Sequence, residues 1–198
     1  TQPVLFTEGI SDEYILDQAW KKLYPDESRP FCIHNAFDRI FLRNLFSRDN
    51  DEFVKKYRCR TLFALFDFDE AYDDWKGLIK NRKETDEITD PFNGLTAKLK
   101  DRNHYAMLLP VPKIEKIKKQ VLNEDDEPWD QPHLSIELLF FKEELMEKGF
   151  EKKSMPGGGE LIKFNGDKVK FAEEYILTLE EIDFEVFRPM FEFIKGKC

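Results

Sequence analysis

Along the chain, short unbroken apolar runs alternate with stripes of helical period. Pro3–Thr7 and Thr61–Phe66 are runs of strand length that stop abruptly in acids. The first gives way to Glu8, Gly9 and Asp12, and the second to Asp67-Phe68-Asp69. Ser11 is the expected N-cap of a helix with the apolar stripe Ile15, Leu16, Ala19, Trp20 and Leu23. Asp12 and Glu13 fall in its first turn, where the helix dipole favours negative charge, and Tyr24-Pro25-Asp26 ends it.

Phe31–His34 is a weaker strand, and Asn35-Ala36-Phe37 leads from it to a second helix carrying Ile40, Phe41, Leu45 and Phe46. A third helix runs from Glu70 to about Leu78. Buried strands alternating with helices predict a mostly parallel, Rossmann-like α/β sheet with helices packed on it. Sites in such sheets form beyond the carboxyl ends of the strands, where Glu8, Asp67 and Asp69 are expected.

Further on, 80–101 is polar and reads as a loop-rich insertion, with a short helix at about Leu95–Leu99. His104–Leu109 is a strand closed by Pro110 and Pro112, and 123–132 is a solvated loop. Leu134–Phe140 is either a strand running into a helix or the start of that helix. Pro156–Gly159 reads as a turn between two short edge strands, the second being Glu160–Phe164. Lys168–Leu177 reads as helical. Asp183 is expected to cap a last helix bearing Phe184, Phe187, Phe191 and Ile194, restarted at Pro189.

With 198 residues, one well-buried domain is expected, with a core over about 3–140 and a C-terminal helical extension over about 141–198. The start at Thr1, almost directly in a strand, suggests a domain excised from a longer chain, and removal of a tag would look the same. Three scattered cysteines and the lack of a long apolar run or signal pattern point to a cytoplasmic protein with no membrane contact. The net charge of −9 argues against a broad nucleic-acid-binding surface, although basic residues can still be grouped locally. Lys55, Lys56, Arg58 and Arg60 form such a group, and become a DNA track if they flank the acidic pocket. Lys113–Lys119 is a second basic cluster, a solvated face by default.

Glu8, Asp12, Asp67 and Asp69 at one end of two neighbouring strands would repel one another unless cations neutralised them. Mg²⁺ or Mn²⁺, hard ions that prefer oxygen, are the natural candidates, and the site reads as a metal-dependent phosphodiesterase. Blander readings exist for single residues: Asp12 as a first-turn helix charge, and His34, His104 and His133 as ordinary core or surface groups. Glu137 lies in an apolar run, where an unpaired carboxylate is costly, so a ligand or ion-pair role is favoured.

Glu8-Gly9 with Asp12, followed by Asp67-Phe68-Asp69, each after an apolar strand, resembles the TOPRIM domain, the catalytic fold of topoisomerases, primases and several nucleases. A finer likeness is to the overcoming-lysogenisation-defect (OLD) nucleases, relatives of which serve Gabija-like anti-phage systems. Ala19-Trp20, Phe66-Asp67-Phe68-Asp69-Glu70-Ala71-Tyr72, Leu108-Leu109-Pro110-Val111-Pro112, Ile136–Phe140 and Lys168-Val169-Lys170-Phe171-Ala172 carry it. The resemblance implies an endonuclease that uses two Mg²⁺ or Mn²⁺ ions to cleave DNA, as the effector of prokaryotic anti-phage defence or DNA repair. By analogy Glu8, Asp67 and Asp69 would hold one ion, and Asp12 and Glu137 would help hold the second. Glu8 is alternatively a general acid or base. The resemblance also implies a lysine that steadies the phosphorane charge, for which Lys168 is the first choice and Lys170 the runner-up. The implied partners are DNA and an ATPase domain or subunit, in an oligomer.

Two other classes compete. A haloacid-dehalogenase-type phosphatase is suggested by Asp67-Phe68-Asp69, but it wants Thr or Val where Ala71 stands and leaves Glu8 and Asp12 idle. A non-catalytic TOPRIM module that assembles with an ATPase partner is the other, and the complete acidic set argues against it.

Overall fold

The computed structural model describes residues 2–47, 51–57, 59–100, 102–154 and 159–198. In chain order, β1 is Val4–Thr7, α1 Ile10–Leu23, β2 Cys32–Asn35, α2 Arg39–Phe46, α3 Asp51–Tyr57, β3 Leu62–Phe66 and α4 Ala71–Ile79. Then come β4 Lys83–Ile88, β5 Thr96–Leu99, β6 His104–Leu108, α5 Glu115–Lys119, β7 Phe150–Ser154 and β8 Glu160–Phe164. The C-terminal region holds a short α6, Lys168–Lys170, 3₁₀ and π turns, and α7, Arg188–Lys195.

The main sheet has six strands in the order β2-β1-β3-β6-β5-β4. β2, β1, β3 and β6 are parallel, while β5 and β4 add on antiparallel. Every residue of β1, β3 and β6 is buried, because helices cover both faces of a parallel sheet. From β1 the chain crosses through α1 to β2 on one side, then returns through α2 and α3 to β3 on the other. Right-handed crossovers in opposite directions put α1 and α2 on opposite faces. The reversal opens a crevice at the carboxyl ends of β1 and β3.

The segment 80–100 differs from expectation. Instead of a loop-rich insertion with a helix at Leu95–Leu99, it supplies β4 and β5, and Thr96–Leu99 is a strand. β4 is the outermost strand and mostly exposed, so its composition is polar, and the pairing with β5 fixes it rather than any apolar pattern. Gly94 makes the turn at φ 84°, where a Cβ would lie 2.9 Å from the Leu108 carbonyl oxygen.

Two helix starts also differ from expectation. Gly9, not Ser11, precedes α1, and the Asp12 carboxylate accepts the Gly9 N–H at 2.9 Å. Likewise Asp183 reaches back to the Glu180 N–H at 3.0 Å, which places the cap at Glu180. The chain restarts as α7 at Arg188-Pro189. β7 and β8 form a separate antiparallel pair. Of the turn expected at Pro156–Gly159, only Gly159 lies among the described residues.

A single apolar cluster runs from Val4 to Ile194 and is rich in phenylalanine. Trp20 stacks on Tyr24 at 4.3 Å and meets Phe31 and Phe191 edge-on at 5.2 and 5.5 Å. Such pairs add about 0.5–1.5 kcal/mol each beyond area burial. They fasten α1 to the C-terminal region, and α1 in turn carries Asp12. Among the described residues no helix is long and apolar enough to cross a membrane.

Candidate functional site

The acids come together at the crevice. β1 and β3 pair in register, Phe6 opposite Ala64, which carries Glu8 and Asp67 past the same sheet edge. Glu8 Oε1 accepts the Asp67 backbone N–H at 2.9 Å. The Asp69 carboxylate turns to the Ala71 N–H at 2.9 Å and opens α4. Phe68, between the two aspartates, is fully buried and pairs with Leu134 through backbone hydrogen bonds of 2.8 and 2.9 Å. That bridge draws in the 3₁₀ turn Ile136–Phe140, where Glu137 is completely buried. The Leu134–Phe140 segment is thus neither a strand nor an α-helix, and its role is to deliver a carboxylate.

Glu137 Oε2 accepts from Ser135 Oγ at 2.6 Å. Its Oε1 is ion-paired with Lys168 Nζ at 3.1 Å and has no other partner among the described residues. Lys168 is half exposed, with its ammonium at the mouth of the site, while Lys170 pairs loosely with Glu174 at 4.0 Å.

Burial and mutual repulsion dominate the electrostatics. Glu8 is pushed up to about 8, first by burial and then by Asp69 and Asp12, against the lowering pull of the Asp67 N–H. Asp12 rises to about 6 through burial and Glu137. Asp67 stands well above the usual carboxylate range through burial and then Glu8, Asp12, Asp69 and Glu137. Asp69 is raised chiefly by burial. Two cations oppose these five carboxylates: Arg39 favours ionised Glu8 and Asp69, and Lys168 favours ionised Asp12 and Asp69. Lys168 is itself held protonated by Glu137, Asp67 and Asp12 in spite of its burial.

The donor set fits a hard divalent cation: all oxygen, largely buried, and short of positive charge. Among the described residues, however, no three carboxylate, histidine or cysteine side chains already surround one point as the ligands of an ion would. Several of the carboxylates are instead turned to local donors: the Asp67, Gly9 and Ala71 N–H groups and the Ser135 hydroxyl.

Comparison with family models, with curated proteins and with solved structures returned no match.

Of the basic group proposed as a DNA track, the described Lys55, Lys56 and Arg60 do not flank this pocket. Lys55 and Lys56 lie on the last turn of α3, and Arg60 directly precedes Thr61 at the amino end of β3. Spanning β3 separates Arg60 from Asp67 by roughly 20 Å. Lys56 and Arg60 instead cover the Tyr57 ring at 5.5 and 5.8 Å. Arg58 lies outside the described residues.

Besides Lys168, the cations near the acids are ones the sequence did not single out. Arg39, at the start of α2, reaches Glu70 at 3.5 Å and Asp74 at 3.7 Å. On the other side a cleft of about 190 Å³ has Asp69 and Glu70 together with His133, Lys163 and Lys168 in its walls. The signal for Arg39 was present: Asp38 caps a helix that starts straight after β2, so the next residue belongs to the carboxyl edge. Nothing local marks Lys163, which arrives through the β7–β8 pair.

Proposed function

We propose that this chain is a TOPRIM-type, divalent-metal-dependent endonuclease of the OLD kind. It would cleave DNA phosphodiester bonds as the effector of a prokaryotic defence or repair system. The observation that carries the reading is the meeting of Glu8 with Asp67 at the crevice between β1 and β3, joined at 2.9 Å. The two acidic motifs, 59 residues apart in the chain, thereby meet at one sheet edge.

Glu8, Asp67 and Asp69 would hold one Mg²⁺ or Mn²⁺, and Asp12 and Glu137 would help hold a second. Two such ions supply an activated water, charge neutralisation at the phosphate and support for the leaving oxygen. Lys168 offers a permanently charged ammonium at the mouth of the pocket to the oxygens of the scissile phosphate. Its pairing with Glu137 sets its position, and the fully buried Glu137 is itself fixed by Ser135. Arg39 is placed to meet a neighbouring phosphate, releasing Glu70 and Asp74 as it does so.

The test is cleavage of supercoiled plasmid in Mg²⁺ and in Mn²⁺, with Glu8→Gln and Asp67→Asn as variants and circular dichroism as the folding control. Metal-dependent cleavage lost in both folded variants supports the reading. Full activity in either variant overturns it. The local donors that engage several of the carboxylates favour one second reading, a non-catalytic module for an ATPase partner. Calorimetry that finds no heat of Mn²⁺ binding to the wild type would select it.

A further inference from the structure

Phe37 is 85% exposed and has a backbone φ of 72°. That left-handed conformation is one bulky L-residues avoid, and Asp126 is the other non-glycine with positive φ among the described residues. The surroundings hold it there. The Ala36 N–H donates to the Thr7 carbonyl at 2.9 Å. The Glu13 carboxylate grips Asn35 through its backbone N–H at 2.9 Å and its side-chain amide at 2.7 Å. Asp38 accepts the Phe41 N–H at 2.7 Å, and the half-exposed Phe41 ring meets Phe37 edge-on at 6.4 Å. A large apolar side chain is therefore presented to solvent from a backbone held on both sides.

Its location is the second observation. β1 and β2 are parallel with Thr7 opposite Asn35, so Glu8 and Phe37 lie one and two residues past the same sheet edge. Neighbouring strands run about 4.8 Å apart, which sets the Phe37 backbone within roughly 10 Å of Glu8. Arg39, two residues on, acts on Glu8 and Asp69. The third observation is charge. With a net charge of −9, and with Arg39 and Lys168 already facing carboxylates, phosphate attraction alone gives this chain a weak hold on a polyanion. Stacking on an aromatic face does not depend on charge and is tolerant of sequence.

We infer that Phe37 is a stacking platform for an unpaired base of the strand whose phosphate enters the acidic pocket, so that the preferred substrate is single-stranded or locally opened DNA. This rests on the nuclease reading. A base inside a duplex has both faces covered, so only an extruded or unpaired one can lie on Phe37. Bubbles, flaps and single strands qualify.

The experiment compares the wild-type chain with Phe37→Ala and Phe37→Trp in Mn²⁺. The substrates are a duplex oligonucleotide and the same duplex with a short central bubble. In parallel, a single-stranded oligonucleotide carrying 2-aminopurine is titrated with each protein in Ca²⁺, and its fluorescence reports stacking. The wild type should cleave the bubble faster than the duplex. Phe37→Ala should lose roughly tenfold or more of the bubble-to-duplex ratio, while Phe37→Trp retains the preference. A bubble-to-duplex ratio equal in wild type and Phe37→Ala overturns the inference. So does a change in oligomeric state in Phe37→Ala with DNA cleavage unaltered, which would make the ring a protein contact. If the wild type cleaves nothing, the nuclease reading has failed and the fluorescence decides: quenching lost in Phe37→Ala upholds stacking, and no quenching by the wild type removes it.

Discussion

The pH dependence of stability is a direct consequence of crowding carboxyls at the crevice. Glu8 keeps its proton in the folded chain to about pH 8, against an ordinary value of 4.5. A carboxyl of this kind favours the fold most below about pH 4.5, where both states hold the proton. That support is withdrawn as the pH climbs through 8. At about 1.4 kcal/mol per pH unit the whole displacement corresponds to roughly 5 kcal/mol, of which about 3 kcal/mol falls between about pH 5.5 and 8.5. For a domain of this size, 1 kcal/mol moves the melting temperature by roughly 2–4 °C. The metal-free protein should therefore melt about 6–12 °C lower at pH 8.5 than at pH 5.5.

Scanning fluorimetry in EDTA and in millimolar MnCl₂ measures this. Mn²⁺ should restore most of the loss at pH 8.5 and do little at pH 5.5, where protons occupy the carboxyls. Glu8→Gln keeps an oxygen to accept the Asp67 N–H but has no proton to lose, so its melting temperature should vary less with pH, the remainder coming from Asp12, Asp67 and Asp69. Equal pH slopes for wild type and Glu8→Gln, or an equal Mn²⁺ shift at both pH values, would refute the reasoning.

Other perturbations follow from packing and pairing. Lys168→Met leaves the buried Glu137 without its cation and should cost about 1–3 kcal/mol in urea unfolding, most of it regained in Glu137→Gln/Lys168→Met. Phe191→Ala opens a cavity among Trp20, Phe31 and Phe187 and should lower stability by about 3–5 kcal/mol, read from the same denaturation midpoint. Gly94→Ala must adopt φ 84° and press a methyl on the Leu108 carbonyl, for a loss of roughly 2 kcal/mol by thermal melting.

The parts of the fold that announced themselves were those buried on both sides. β1 and β3 read as strands because a sheet covered on two faces admits only apolar residues, and both stop in acids because their carboxyl ends face a polar crevice. β4 was illegible for the opposite reason. Lys83–Ile88 is an outer edge whose polarity suits solvent, and only β5 beside it makes it a strand. The distance between the basic group and the acids was legible in chain order, since residues that lead into β3 cannot sit where β3 ends. Phe37 went unremarked as a mere connector, because exposure and a left-handed φ are tertiary facts that no apolar period encodes.

The division into a core ending near residue 140 and a C-terminal extension fits the sheet but not the pocket. Glu137 sits just inside that line and Lys168 beyond it, and each holds the other in place. Lys168 begins the helical run whose Phe171 packs against Phe140, Phe150 and Phe164, so the lysine is positioned by the extension's own aromatic cluster. Phe184 and Phe187 close on Phe140, and Phe191 closes on Trp20 of α1, the helix that carries Asp12. A cut after residue 140 would strip the cation from a buried carboxylate and expose the ring face that anchors α1. The two regions therefore share one aromatic core, and the charge balance of the crevice depends on the extension as well as on the strands.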